Sequence, residues 1–303
     1  MRSLALLLLL FTACSAQGRA FVRPPPLDPN QPRDTAEIAR DLVRGRVGAL
    51  FYVDRFRYHP GASKITRLGG WGELLEGTRM DPLADVVRAF ITAPTSHADS
   101  RVLVLEHAAP DDRVRETIAA IAARSRRAGH TPPSIPDDDL GIAAAPAWID
   151  KRWCLVAAPQ PGLVVAVPLG RAEDVSRFAR AGGLPEPIGR EAARFFAFEP
   201  GSSLENGPHV PESIAAAQAS IVFGPTGAQL SLEGESSSPE QAAEDAALLT
   251  KVVEESLTLN LVVVKMQLFD PVRFRSNGAT VRTDVHLSPT EVDWLLGIAT
   301  GPI

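Results

Sequence analysis

Apolar residues in this chain fall into short runs separated by turn residues, and the runs recur in one order. Residues 86–92 form an apolar strand candidate, 93–99 a loop, and 101–107 a second strand. Pro110 then opens a helix whose apolar positions Val114, Ile118 and Ile121 repeat every three or four residues. The same order returns at 152–157, the turn Pro159-Gln160-Pro161-Gly162, 163–169 and a helix over about 172–181. It returns again at 219–223, the turn Gly224-Pro225-Thr226-Gly227, 228–235 and a long helix from Pro239. A fourth copy runs 272–275, the Asn277-Gly278 turn, 280–287 and a helix from Pro289. Asn-Gly between two such runs is a hairpin signal, because both residues tolerate the positive φ of a type I′ turn.

Two helix starts carry explicit caps. Ser238-Pro239-Glu240-Gln241 and Ser288-Pro289-Thr290-Glu291 each place a Ser before a Pro at the first helical position. A Gln or Glu three residues after the Ser can reach back to the cap. Each pair of units is also preceded by a similar strand, at 47–54 and 192–199, so the chain reads as two tandem halves, 36–184 and 188–303. The fold expected is α+β: antiparallel sheets with helices on one face, built from recurring strand-strand-helix units. Continuous apolar strands such as Leu163-Val164-Val165-Ala166-Val167 call for burial on both faces, which two halves packed into one body would supply.

The first 35 residues follow different rules. Met1-Arg2-Ser3 is a short basic start, residues 4–11 are an unbroken apolar run, and Thr12-Ala13 are small residues before Cys14. That is the order of a secretory signal. Eight apolar residues span roughly 12 Å as a helix, far short of a bilayer core of about 30 Å, so removal of residues 1–13 is expected rather than permanent anchoring. Residues 15–34 are rich in Ser, Gly and Pro, including Arg23-Pro24-Pro25-Pro26, and read as a semi-extended tether.

Phe11-Thr12-Ala13-Cys14 resembles the lipobox of bacterial lipoproteins, with Phe11 where that family usually has Leu. The resemblance implies that Cys14 is the lipid attachment site and first residue of the mature chain, acylated by groups such as palmitate and held at the cell envelope. Ordinary cleavage after Ala16, giving a periplasmic or secreted protein, is the alternative. Cys154 is the other cysteine, so there is no disulfide framework in the mature body; in the run Trp153-Cys154-Leu155-Val156 it reads as a small buried hydrophobe.

A formal net charge of −5 argues against nucleic acid as a partner, which needs clustered surplus cations. Among titratable residues, His107 and His286 stand out because each ends a second strand and begins His-x-x-Pro. With Glu106, Asp111 or Asp284 nearby, either could contribute to a metal site, but neither has a recognisable ligand spacing. Asp137-Asp138-Asp139 lacks the spacing and distal Glu of a calcium loop. Leu68-Gly69-Gly70-Trp71-Gly72 lacks the order of a phosphate cradle and should turn the chain into a helix carrying Leu74 and Leu75. Arg55-Phe56-Arg57-Tyr58 and Arg273-Phe274-Arg275 could meet anionic lipid head groups, though the alternation of a half-buried strand also explains them.

No catalytic motif is present, and no catalytic, metal or cofactor residue is assigned. The function expected is that of a membrane-anchored envelope lipoprotein that binds a protein partner or scaffolds an assembly without catalysis. One alternative is a carrier or sensor of an apolar ligand held between sheet and helices, where residues 242, 246, 249, 253 and 257 form an apolar helical stripe. Another is a metal-assisted hydrolase around His107 or His286.

Overall fold

The computed structural model describes residues 33–96, 100–133, 141–204, 210–256, 258–260, 265–267 and 271–300. Cys14, the tether up to Pro32 and Asp137–Asp139 lie outside the described residues. The chain divides into two compact units. Residues 33–94 and 100–188 belong to an N-terminal unit, and residues 189–300 to a C-terminal one that also takes in 95 and 96. The fold is α+β with antiparallel sheets.

The N-terminal unit opens with α1 (Thr35–Val43), which Asp34 caps by accepting a hydrogen bond from the Ala36 amide at 2.7 Å. Strand β1 (Val47–Tyr52) follows, then two short helices, α2 (Ala62–Ile65) and α3 (Trp71–Leu75). The hairpin β2 (Val86–Ala93) and β3 (Val102–His107) leads into α4 (Asp111–Arg127). Asp111 and Asp112 sit in the first turn of α4, and Arg124, Arg126 and Arg127 in its last, each charge opposing the helix dipole. Three strands close the unit, β4 (Ala143–Ile149), β5 (Arg152–Gln160) and β6 (Leu163–Pro168), in the sheet order β1-β2-β3-β6-β5-β4. The expected helix over 172–181 is instead a run of 3-10 turns from Leu169 to Arg180, interrupted at Arg171; its buried Val175 and Phe178 are three residues apart, the spacing that eclipses side chains in a 3-10 helix.

This six-stranded sheet is covered on both faces within its own unit. One face carries Phe90, Thr92, Val104, Val165 and Leu155, and here α1 packs on β2 and β3 while the 3-10 segment packs on β5 and β6. The opposite row holds Phe51, Ile91, Leu105 and Val164. Trp71 lies 6.1 Å from Phe51 between ring centroids, and a side chain at Gly69 would strike Ile91. Arg124 of α4 ties this layer together by donating to the carbonyls of Glu73, Leu74 and Glu76. The continuous apolar strands are therefore buried by helices of the same unit, and helices lie on both faces here rather than on one. At the sheet edge, β4 contains Pro146, and its Trp148 amide donates to Ser125 Oγ of α4 at 2.8 Å, so the edge is partly satisfied.

The C-terminal unit comprises β7 (Ala193–Phe198), the single turn α5 (Pro200–Ser203), β8 (Ile214–Gly224), β9 (Gly227–Ser236), α6 (Pro239–Ser256), the short pair β10 (Thr258–Asn260) and β11 (Lys265–Gln267), β12 (Arg275–Asn277), β13 (Thr280–Leu287) and α7 (Pro289–Thr300). Its main sheet runs β12-β13-β9-β8-β7. The capping box at Ser288 forms as expected: the Ser288 amide donates to Glu291 Oε2 at 2.7 Å and the Glu291 amide to Ser288 Oγ at 3.4 Å. The box at Ser238 forms only by half. The Gln241 amide donates to Ser238 Oγ, but its side chain turns away to Asp245 and Glu244. At the last hairpin Asn277 pairs with Thr280, so the two-residue loop is Gly278-Ala279 and Gly278 alone takes the positive φ, +58°, in place of the type I′ geometry.

Candidate functional site

The two histidines belong to different units. His107 is buried at the end of β3, where its amide donates to the Gly162 carbonyl at 2.9 Å. Beside it Asp85 accepts from Arg113 at 2.7 Å and from the Asp81 amide at 2.8 Å. Burial holds the His107 imidazole below its ordinary pKa, opposed by the Ala109 backbone and by Asp111, Asp85 and Glu106. His286 is exposed on β13. Among the described residues no group of three or more His, Cys, Asp or Glu side chains could hold a metal ion. The metal-assisted hydrolase accordingly finds no ligand set there. Cys154 is buried in β5, and burial pushes its thiol pKa up, away from a reactive thiolate. Arg273 and Arg275 are exposed around the buried Phe274, and Arg275 opens the edge strand β12.

The helical stripe proposed to line an apolar groove is packed. Ala242, Ala246, Leu249 and Val253 of α6 are buried, and α6 lies on β9, β12 and β13. A polar knot fixes it: buried Asp245 accepts from Ser213 Oγ and Ser236 Oγ, each at 2.7 Å, and from Gln241 Nε2 at 3.1 Å. Leu257 lies outside the described residues.

On the other face of the C-terminal sheet the described polar and aromatic side chains are exposed or half-buried. The rows Ala228-Leu230-Leu232 and Val281-Thr283-Val285-Leu287 are buried, whereas Gln229, Asp284 and His286, on the alternating row, are exposed. That row is a ladder of polar and aromatic side chains. Arg282 stands opposite Glu233, and Glu233 opposite Gln218, whose Nε2 donates to the Glu233 carboxylate at 2.8 Å. Ser231 donates to Asp284 at 2.8 Å, and His286 faces Gln229. Toward β7 the ladder ends in half-exposed Phe196 and Phe198, with ring centroids 5.7 Å apart, and in Arg194, which is paired with Glu191. The face offers donors, acceptors and two aromatic rings to a surface laid against it.

A second cluster pins the segment that leads out of the N-terminal unit. Arg88 pairs with Glu106 and with Glu186, both at 2.7 Å, and donates to the Leu184 carbonyl at 2.7 Å. Tyr52 donates to the Glu186 carbonyl at 3.2 Å, Gln160 to the Ala181 carbonyl at 3.2 Å, and Thr35 to the Gly182 carbonyl. Gly182 in turn donates to the Arg33 carbonyl at 2.9 Å. Nothing in the local sequence announces this strap, because every partner is distant along the chain.

No protein-family model and no curated sequence matches the chain. Among solved structures it is similar to crystal form I of TP0453, with 10% sequence identity and a TM-score of 0.50. That match covers 90% of this chain and 100% of the other. Crystal form III of TP0453 matches at 9% identity and a TM-score of 0.41, over 83% of this chain and 94% of the other. At this identity the likeness is one of fold. No helix among the described residues is long and apolar enough to cross a membrane.

Proposed function

We propose that the chain is an envelope lipoprotein, anchored by lipid on Cys14 after removal of residues 1–13, whose folded body binds a protein partner. The observation that supports this most is the opening of the sequence itself, a basic start, eight apolar residues and two small residues before Cys14. Anchoring at that position needs more than one acyl chain, since a single chain gives only marginal membrane binding, about 0.8 kcal/mol per buried methylene. The Pro-rich segment after Cys14 would hold the body off the membrane.

The partner surface in this reading is the half-exposed sheet face of the C-terminal unit. Its side chains suit recognition: Ser231 and Gln218 donate to the carboxylates of Asp284 and Glu233, and exposed Gln229 and His286 add further polar groups. The test is fractionation of cells producing the native chain or Cys14→Ala. The native chain should stay with membranes and the variant should be released. Unchanged fractionation would contradict the anchor. Protection of exposed His286 from acylating reagent in intact envelopes, relative to the purified protein, checks the partner face separately.

A further inference from the structure

The turn that follows β1 is the strongest surface feature outside the sites already described. Tyr58 is 93% exposed, while Phe56, two residues earlier, is 1% exposed and anchors the turn from below. The turn is ordered by its own backbone. The Phe56 and Arg57 amides donate to the Val53 carbonyl at 3.2 and 2.9 Å, the His59 amide to Phe56 at 2.8 Å, and the Ala62 amide to His59 at 2.9 Å. The Gly61 amide is held by His59 Nδ1 at 3.0 Å. A phenol displayed on a rigid turn, with its ring in water, is placed for a surface outside the chain.

From Arg55 to Arg67 every charged side chain of the segment is basic. Across residues 54–72 the acids are Asp54 alone, against Arg55, Arg57, Lys64 and Arg67, in a chain whose formal charge is −5. Arg55 and Arg67 are exposed, and Asp54 lies 3.4 Å from Arg55. Arg57 is half-buried, and its Nε has no hydrogen-bond partner among the described residues. The turn begins where β1 ends. There Tyr52 donates to Glu186, and the strap running back from Glu186 through Leu184 to Gly182 meets the carbonyl of Arg33. Arg33 thus lies against the strap that Tyr52 and Arg88 hold, and the acid of the strap, Glu186, is paired with Arg88.

We infer that the Tyr58 turn is a docking surface for anionic phospholipid head groups, with Arg55, Arg57 and Arg67 meeting phosphates and the Tyr58 ring lying at the head-group level. An aromatic with a polar tip suits that level, and each cation near an anionic leaflet adds to binding that salt screens. The inference rests on the proposed membrane anchoring for its setting, but the binding belongs to the turn and does not need the acyl chains.

The experiment uses the full chain carrying Cys14→Ser, mixed with vesicles of phosphatidylcholine alone or with about one-third phosphatidylglycerol, at about 0.05 M and about 0.5 M salt. Flotation with the anionic vesicles only, lost at high salt, is expected. Tyr58→Ala and the double change Arg55→Gln with Arg67→Gln should each weaken it, by about fivefold for each arginine removed. Tyr58→Trp should retain it, and thermal melting of all variants should match the parent. Binding to neutral vesicles as strong as to anionic ones, no binding to either, or full binding by the Tyr58→Ala and arginine variants would overturn the inference. Failure of the anchor itself shows separately, as indifference of membrane fractionation to Cys14→Ala.

Discussion

The N-terminal unit buries its sheet on two sides, and the C-terminal unit buries the main part of its sheet on one. In β6, Leu163 to Val167 are all buried; in β13, Val281, Thr283, Val285 and Leu287 are buried while Asp284 and His286 are exposed. Helices account for the difference. The N-terminal sheet has α1 and the 3-10 segment on one face and α3 with α4 on the other, so both rows must be apolar. In the C-terminal unit α6 and α7 pack on β9 and β13, and the opposite row can afford serine, glutamine and charge. Element order differs in detail: the N-terminal unit begins with α1 and has three strands after α4, whereas the C-terminal unit has the β10–β11 pair and then β12 and β13 after α6. A sheet face that stays half-exposed can carry polar side chains, and the sequence records this as period-two alternation.

The sharpest way to break the comparison is a charge at matched depth. Val104→Asp places an unpaired carboxylate under α1 and should cost about 4 kcal/mol or more, enough to unfold a marginal unit. Gln229→Lys, on the half-exposed face, should change stability by less than about 0.5 kcal/mol. Chemical denaturation of the two variants reads both effects, and similar losses would mean that this face is buried.

The polar knot of the C-terminal unit comes next. Asp245→Ala leaves the Ser213 and Ser236 hydroxyls without their acceptor and should destabilise by about 2–3 kcal/mol. Asp245→Asn, which keeps an acceptor, should recover part of that loss. Comparable melting temperatures for Asp245→Ala and the parent would remove the knot from the account.

Arg88→Ala should have a smaller effect, about 1–2 kcal/mol, because Glu186 remains largely solvated while Glu106 loses its partner. Its distinctive signature should be faster hydrogen exchange and proteolysis over 181–188 than elsewhere in the N-terminal unit. Uniform exchange would argue that the strap is held by its other hydrogen bonds.

The smallest expected effect is a pH dependence. Burial lowers the His107 pKa in the folded state, so the unfolded chain binds the proton more readily. The associated stability is present above the unfolded histidine value of about 6.5 and falls as pH drops below it. His107→Gln should flatten that slope; an unchanged slope would assign it to other groups.

What the sequence revealed and concealed follows from how local each signal is. The hairpins at Gly162 and Gly227 and the Ser288 cap depend on a few adjacent residues and appear as expected, while the Gly278 hairpin forms with its loop shifted by one residue. Gln241 shows the limit: its local role in a capping box gave way to Asp245, which α6 carries into the core. Helix α1 escaped notice because it follows the Pro-rich stretch directly, and β4 because Ala143-Ala144-Ala145-Pro146 has little strand character; an edge position tolerates that proline. The polar row was present in the alternation of residues 280–287, but a single strand cannot show which neighbouring strands extend it into a face. The strap on Arg88 needs partners up to 147 residues apart and left no local mark.

The central claim, that the chain is an envelope protein tethered through Cys14, is tested most directly by mass spectrometry of the N-terminal peptide of protein extracted from membranes. A peptide beginning at Cys14 and carrying diacylglyceryl and fatty-acyl mass is the predicted result. An unmodified peptide beginning at Gln17, the product of cleavage after Ala16, would contradict it.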